Sequence, residues 1–315
     1  MNTGFSLFPD QASTMAPRVD ALFYFLVGVS VFFGVLISVL IVVFAVKYRR
    51  RSEDERPAAV RTDMRLEILW TVIPLGLTLV MFFWGAKLFF ITYDPPADSL
   101  EIAVVAKQWM WKAQHPEGQS EIDELHIPVG RPIRLTLTSQ DVIHDFFVPA
   151  FRVKKDVLPG RYTTLWFEAT RPGEYHLFCA QYCGTQHSGM TGRIVVMAQA
   201  EYQSWLSGRA TGVSVATAGQ RLFQQLACNT CHLEKDTSRG PSLIGLFGKR
   251  VKLQDGRSVT ADEDYIRESI LNPQAKIVAG YQPIMPTFKG LVDEDGLLQI
   301  LAYLKSLSRE EQAKQ

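Results

Sequence analysis

Cys179-Ala180-Gln181-Tyr182-Cys183-Gly184-Thr185-Gln186-His187-Ser188-Gly189-Met190 crowds two thiols, an imidazole and a thioether into one short loop, with the spacing C-x3-C-x3-H-x2-M. Thiolate, imidazole and a weak thioether are the donors that copper electron-transfer sites use. A mononuclear blue-copper site needs one cysteine and two histidines. Two cysteines let two coppers share both sulfurs, and each copper then wants one histidine. His187 supplies one. His144, in Asp141-Val142-Ile143-His144-Asp145, is the best placed second. Two other readings stand beside this one: a structural zinc held by two Cys and two His, and a Cys179–Cys183 disulfide on an oxidising face. Neither needs Met190, and neither accounts for a histidine borne on a neighbouring strand. His115, His126 and His176 read as ordinary polar residues.

Around this loop the chain alternates with period two. In Ile133-Arg134-Leu135-Thr136-Leu137-Thr138 every other residue is apolar, and Tyr162–Phe167, Glu174–Phe178 and Arg193–Met197 also read as strands. Turn signals separate them at His115-Pro116-Glu117-Gly118, Val129-Gly130-Arg131-Pro132, Leu158-Pro159-Gly160 and Arg171-Pro172-Gly173. Many short strands at this spacing predict a β-sandwich or barrel. The loop therefore sits at one end of a β-domain over residues 99–207.

The segment before it is apolar. Ala21–Val46 carries no charge, and at ~1.5 Å per residue it spans roughly 39 Å, more than a bilayer's hydrocarbon core. A second run, Ile68–Ile91, contains Pro74 near its start, and Lys87 near its end is able to snorkel. Trp84 and Tyr93 suit an interfacial belt. A transmembrane hairpin, with helices at about 21–46 and 68–91, thus occupies residues 1–98. A cleaved signal peptide fits poorly, because the first run is too long and no basic region precedes it. The loop between the runs carries Lys47, Arg49, Arg50, Arg51, Arg56, Arg61 and Arg65, against Arg18 alone before them. The positive-inside bias puts this loop in the cytoplasm and both termini outside.

Beyond the β-domain, residues 208–217 are small and polar and read as a flexible linker, with an r.m.s. span of roughly 17–19 Å. A further domain covers 218–315. Cys228-Asn229-Thr230-Cys231-His232 is the covalent haem c attachment signature, two thiols for thioether bonds and a histidine for the iron. Met285 is the sole methionine after His232, and no histidine follows. It is the candidate sixth ligand, in a loop stiffened by Pro283 and Pro286. Gln220–Ala227 reads as a helix. Thr260-Ala261-Asp262-Glu263 reads as a capping box that opens a helix ending at Asn272-Pro273. A last helix begins at Asp293, with Leu297, Ile300, Leu301 and Leu304 on one face.

Residues 8–207 resemble subunit II of the cytochrome c oxidases. The resemblance rests on the copper loop, on Gln108-Trp109-Met110-Trp111, on Val142-Ile143-His144 with Val148-Pro149-Ala150 and Lys155-Asp156-Val157-Leu158-Pro159-Gly160-Arg161, and on Glu67-Ile68-Leu69-Trp70-Thr71-Val72-Ile73-Pro74. It implies a cupredoxin-like β-domain holding binuclear CuA through His144, Cys179, the backbone oxygen of Gln181, Cys183, His187 and Met190. Many members carry glutamate where this chain has Gln181, and its carboxylate also binds magnesium. That site lacks a charged oxygen here. The resemblance implies proton uptake at Glu67. It also implies that electrons enter at the docking surface of haem c, at Trp109 or Trp111, with Trp109 the better match. Residues 217–307 resemble a class I cytochrome c, and Pro241 would then pack on the His232 side.

The expected molecule is a multidomain membrane protein with a two-helix hairpin, a cupredoxin-like β-domain and an all-α cytochrome c domain. It is expected to serve as subunit II of a bacterial caa-type oxidase in the cytoplasmic membrane. Electrons would pass from a donor through haem c (one) and CuA (two Cu) to the oxygen-reducing subunit I, coupled to proton translocation, with the tether keeping the haem near the copper at mM effective concentration. Both redox domains would lie on the outer face. The implied partners are subunits I and III and, as donor, a soluble or membrane cytochrome c or a bc-type complex. The alternative is a membrane-tethered electron carrier serving another terminal reductase. The sequence has 315 residues, 33 Lys plus Arg against 32 Asp plus Glu, a net charge of +1. That balance argues against nucleic-acid binding driven by charge. Four cysteines in such a length do not make a disulfide scaffold.

Overall fold

The computed structural model describes residues 8–53, 62–209, 214–232 and 239–312. Arg56 and Arg61 of the basic loop and residues 210–213 of the expected linker lie outside them. The chain divides into two compact units, Thr14–Asp94 and the remainder.

The first unit is a pair of helices, α1 (Ala16–Lys47) and α2 (Met64–Tyr93). Both are long and apolar enough to cross a membrane, and each runs past its expected bounds, chiefly at its N-terminal end. Pro17 stands in the first turn of α1, where its missing N–H costs nothing. The Asp63 carboxylate caps α2 by accepting from the Arg65 N–H. Pro74 lies inside α2, and Thr78 Oγ1 donates to its carbonyl at 2.8 Å.

The second unit opens with ten strands. They are β1 (Leu100–Lys107), β2 (Met110–Gln114), β3 (Ser120–Ile122), β4 (Glu124–Pro128), β5 (Pro132–Ser139), β6 (His144–Val148), β7 (Val153–Val157), β8 (Thr163–Glu168), β9 (Gly173–Cys179) and β10 (Thr191–Met197). They form two five-stranded sheets in the orders β3-β2-β1-β5-β8 and β4-β10-β9-β6-β7, a cupredoxin-like sandwich. β1 runs parallel to β5, and β4 to β10; the other pairings are antiparallel. Alternation builds the core: Ile133, Leu135 and Leu137 of β5 are wholly buried, beside Ile102 and Val104 on the same face of the neighbouring β1. The N-terminal segment seals one edge. The Ala12 N–H donates to Ala150 O, the Thr170 N–H to Ala12 O, and Ser13 Oγ to Phe151 O.

The remaining elements are α3 (Gln199–Arg209), α4 (Val215–Gln225), the hairpin β11 (Arg250–Lys252) and β12 (Ser258–Thr260), α5 (Glu263–Leu271) and α6 (Glu294–Gln312). Four expectations change here. The C-terminal region is not all helical, because a turn through Gly256, with φ +86°, folds β11 onto β12. Helix α4 starts five residues before Gln220. Helix α3 runs to Arg209, so both ends of the expected linker 208–217 are helical. The cap of α5 is Asp262, which accepts from the Tyr265 N–H at 2.8 Å, rather than Thr260, which belongs to β12. Asp293 does open α6, accepting from the Gly296 N–H.

The outer face of the first sheet is also covered. Val105 and Tyr162 join a second core with Phe223, Leu298, Leu301 and Leu304, and Thr136 and Thr138 are buried although they alternate away from the first core.

Candidate metal centre

β6 and β9 are neighbours, paired Phe146 to Cys179, so β9 delivers Cys179 beside His144 at the start of β6. The loop is pinned where it leaves the sheet: the Cys179 N–H donates to Met190 O and the Ala180 N–H to Asp145 O, both at 3.1 Å. A single 3-10 turn, His187–Gly189, brings Met190 back into β10. Chain segments far apart in sequence thus converge.

The donor atoms face one another. Cys179 Sγ and Cys183 Sγ stand 3.8 Å apart, well beyond the ~2.05 Å of a disulfide. His144 Nδ1 lies 4.0 Å from Cys179 Sγ, and His187 Nδ1 lies 3.5 Å from Cys183 Sγ. Met190 Sδ is 3.8 Å from Cys183 Sγ, and the Gln181 carbonyl oxygen is 3.2 Å from Cys179 Sγ. His144, Cys179, Cys183 and Met190 are buried, His187 is half-buried, and the Gln181 side chain is exposed. Six donors in a pseudo-symmetric set, one imidazole to each sulfur, exceed the four that structural zinc takes. They fit a two-copper centre, which the two thiols, the two imidazoles, the thioether and the carbonyl oxygen would hold. Burial raises the Cys179 thiol, but hydrogen bonds to His144 and to neighbouring backbone outweigh it and hold the group near 6. Burial beside that thiol pushes Cys183 up to about 12.

Two supporting residues escaped the sequence reading. Asp141 Oδ1 bonds His144 Nε2 at 2.9 Å, which leaves Nδ1 for a metal, and its Oδ2 accepts from the Gln108 N–H at 2.7 Å. Gln108 Nε2 and Trp109 Nε1 in turn donate to Cys183 O, at 2.8 and 3.2 Å. A carboxylate three residues before the candidate ligand His144 is the available signal. Of the two tryptophans considered for the surface, Trp109 is half-buried against the copper loop. Trp111 is 2% exposed, edge-on to Phe146 and His144, and belongs to the core.

His115 and His126 are less ordinary than expected. Glu121, itself buried, bonds His115 Nε2 at 2.7 Å and also His126 Nδ1, and Trp205 stacks on His126. Burial raises the Glu121 carboxyl, but these bonds overcome it and hold it down at about 2. The cluster ties β3 of one sheet to β4 of the other.

In the C-terminal region Ala227 takes a left-handed conformation and turns the chain from α4 into a 3-10 turn, Cys228–Thr230. His232 Nδ1 bonds Pro241 O at 2.9 Å, so Nε2 is the nitrogen left for iron. Gly240 lies so close that an added Cβ would stand 3.1 Å from the ring. Cys228, Cys231 and Met285 are half-buried. These are donors suited to haem c, with the imidazole already oriented. Glu67 occupies the first turn of α2.

Comparison with known proteins identifies a family. Residues 1–87 match the family model for the cytochrome c oxidase subunit II transmembrane domain, and residues 118–199 match that for its periplasmic domain. The chain is 32% identical over 294 residues to cytochrome c oxidase subunit 2 of Alkalihalophilus pseudofirmus, covering 87% of this chain and 84% of that one. It is 28% identical over 266 residues to cytochrome c oxidase subunit 2 of Thermostichus vulcanus, covering 67% and 80%. Among solved structures, the periplasmic domain of subunit II of the Bradyrhizobium japonicum cytochrome oxidase is 32% identical, with a TM-score of 0.36, covering 37% of this chain and 96% of that one.

Proposed function

Because the chain belongs to the cytochrome c oxidase subunit 2 family, a component of the haem–copper oxidases, we propose that it receives electrons at a covalent haem c and relays them through CuA to subunit I. The observation that carries this reading is the convergence of six donors from His144, Cys179, Gln181, Cys183, His187 and Met190 in one half-buried pocket. Cys228, Cys231, His232 and Met285 would hold the haem. When bound, the two groups supply one-electron carriers of low reorganisation between an external donor and the oxygen-reducing subunit.

The chain's own residues prepare the path. Asp141 fixes the tautomer and direction of His144. Gln108 and Trp109 grip the Cys183 carbonyl, so the Trp109 indole lies in contact with the copper loop and offers the point where electrons arrive. Strands β6 and β9 exclude water from one side of the pocket. The two apolar helices anchor the protein, and the basic loop from Lys47 to Arg65 sets the orientation. The redox region then faces outward, and Glu67 lies at the cytoplasmic side for proton uptake into subunit I. Subunit III and a cytochrome c or bc-type donor complete the assembly.

The test is purification of the tagged full-length chain from its native membrane. The reading expects a polytopic haem subunit in the same complex and oxygen consumption driven by reduced cytochrome c. A chain carrying both copper and haem but purified without an oxygen-reducing partner would make it a tethered carrier for another reductase.

A further inference from the structure

The C-terminal helical module touches the sandwich through a charged seam. Lys305 Nζ lies 3.0 Å from Glu101 Oε2 and 2.9 Å from Glu263 Oε1. Arg134 reaches Glu263 at 3.1 Å, and Arg309 reaches Glu101 at 3.2 Å. At the other end of α6, Lys112 Nζ lies 2.6 Å from Asp295 Oδ2. Backbone groups cross the same boundary. The Val215 N–H donates to Pro116 O, the Tyr162 N–H to Asp264 Oδ1, and Arg267 to Gly160 O. The side chains of Lys305 and Glu263 are only 11% and 15% exposed, so this is an inner seam rather than a chance surface contact.

The seam has a direction. Lys112 lies across from Val105 in the β1–β2 register. Four strand steps from Val105 back to Glu101 span roughly 13 Å. Ten helical steps from Asp295 to Lys305 span roughly 15 Å. The lengths match, so α6 lies antiparallel to β1 and its N-terminus points to the end where β1 runs into Gln108 and Trp109. Arg267 confirms that end: it pairs with Glu294 and also reaches Gly160, next to Pro159, which bridges to Ser139 at the close of β5. Helix α4 crosses α6 in the opposite sense. Gly219 packs on Gln299 and Tyr303, and Leu222 on Gly296. Helix α4 therefore exits toward the copper-binding end, and Cys228 to His232 follow at that exit.

We propose that this seam is a register-setting dock, in which Glu101, Arg134, Glu263 and Lys305 at one end and Lys112 with Asp295 at the other hold the haem-attachment segment toward the copper end of the sandwich. The module is a fixed part of the relay, not a carrier swinging on a flexible linker. The roles of the bound groups rest on the function proposed above; the dock rests on the contacts alone.

Hydrogen exchange on the full-length chain in detergent tests it, with the Val215 and Tyr162 amides as reporters and the β9 and β10 amides as folding controls. Glu101→Lys and Lys112→Glu should each raise exchange at both reporters at least tenfold and leave the controls unchanged. The swap Lys112→Glu with Asp295→Lys should restore the protection that Lys112→Glu loses. Reporter amides that already exchange freely in the unaltered chain, or that ignore both charge reversals, would overturn the dock. Copper and haem spectra of the same samples separate the two levels: spectra lacking either group, with the reporters behaving as stated, would overturn the functional reading and still support the dock.

Discussion

The proposed copper loop and the proposed haem segment are built on opposite plans. The proposed copper donors come from two strands and a loop, with His144 carried 35 residues before Cys179, and the pairing of β6 with β9 sets the strands side by side. The haem segment is local. Cys228, Cys231 and His232 lie in one turn, and among them the structure orients the imidazole through Pro241. A non-covalent centre needs a stiff scaffold to set its ligands, whereas a group attached through two thioether bonds carries its own constraint. Substitutions in the sandwich should therefore tune copper, and substitutions beside the haem segment should leave copper untouched.

The largest break between the two is chemical. Cys183→Ser should abolish the shared-electron copper signal and leave the haem optical spectrum intact; Cys231→Ala should impair haem attachment with copper unaffected. Paired copper and haem assays on both variants check this, and loss of both groups in either variant would mean the sites are not independent. Next in size is Asp141→Ala, which removes the partner of His144 Nε2 and of the Gln108 N–H. Copper affinity should fall roughly 10–100-fold, measured by competition with a chelator, while haem content stays constant.

Gly184→Ala sharpens the contrast further. Gly184 has φ +118°, and a Cβ there would stand 2.9 Å from Gln108 Nε2. Strain of about 1–3 kcal/mol should lower the thermal midpoint of the sandwich and shift the copper spectrum as the Gln108 and Trp109 grip loosens. An unchanged spectrum would show that the grip does not reach the metal.

The smallest effect concerns acid. Glu121 sits near 2 in the fold against an ordinary 4.5, so its contribution to stability is full above about 4.5 and is lost as pH falls toward 2. Glu121→Gln should flatten that loss in the sandwich and leave the helical module's acid response alone. Melting curves between pH 5 and pH 2 read the difference.

The copper loop was legible because its residue types are rare and closely spaced, and the strands around it because one face alternates cleanly. Helix positions in the first unit followed from long apolar runs, the second broken only by Lys87 among charged residues. What escaped depends on tertiary contact. Trp111 and Trp109 look alike two residues apart, but Trp111 lies within β2 and fills the core, whereas Trp109 stands before that strand, in the turn from β1, and meets the loop. Thr136 and Thr138 resemble solvent-facing positions, and the buried second face of β5 is visible only once the helical module covers it. Polar composition suggested a free linker at 208–217, but helix ends are also polar. Asp141 left a signal, a carboxylate three residues before His144, whereas Gln108 acts on the distant Cys183 carbonyl, a partner that carries no residue-type signature.

Electron paramagnetic resonance of the full-length chain, loaded with copper and matured with haem, distinguishes a shared copper pair from any other occupant of the loop. The expected spectrum is that of one unpaired electron shared over two copper nuclei, a many-line hyperfine pattern with small splitting, beside a low-spin haem. A four-line pattern from a single copper, or a loop that takes up zinc and shows no copper signal, would contradict it.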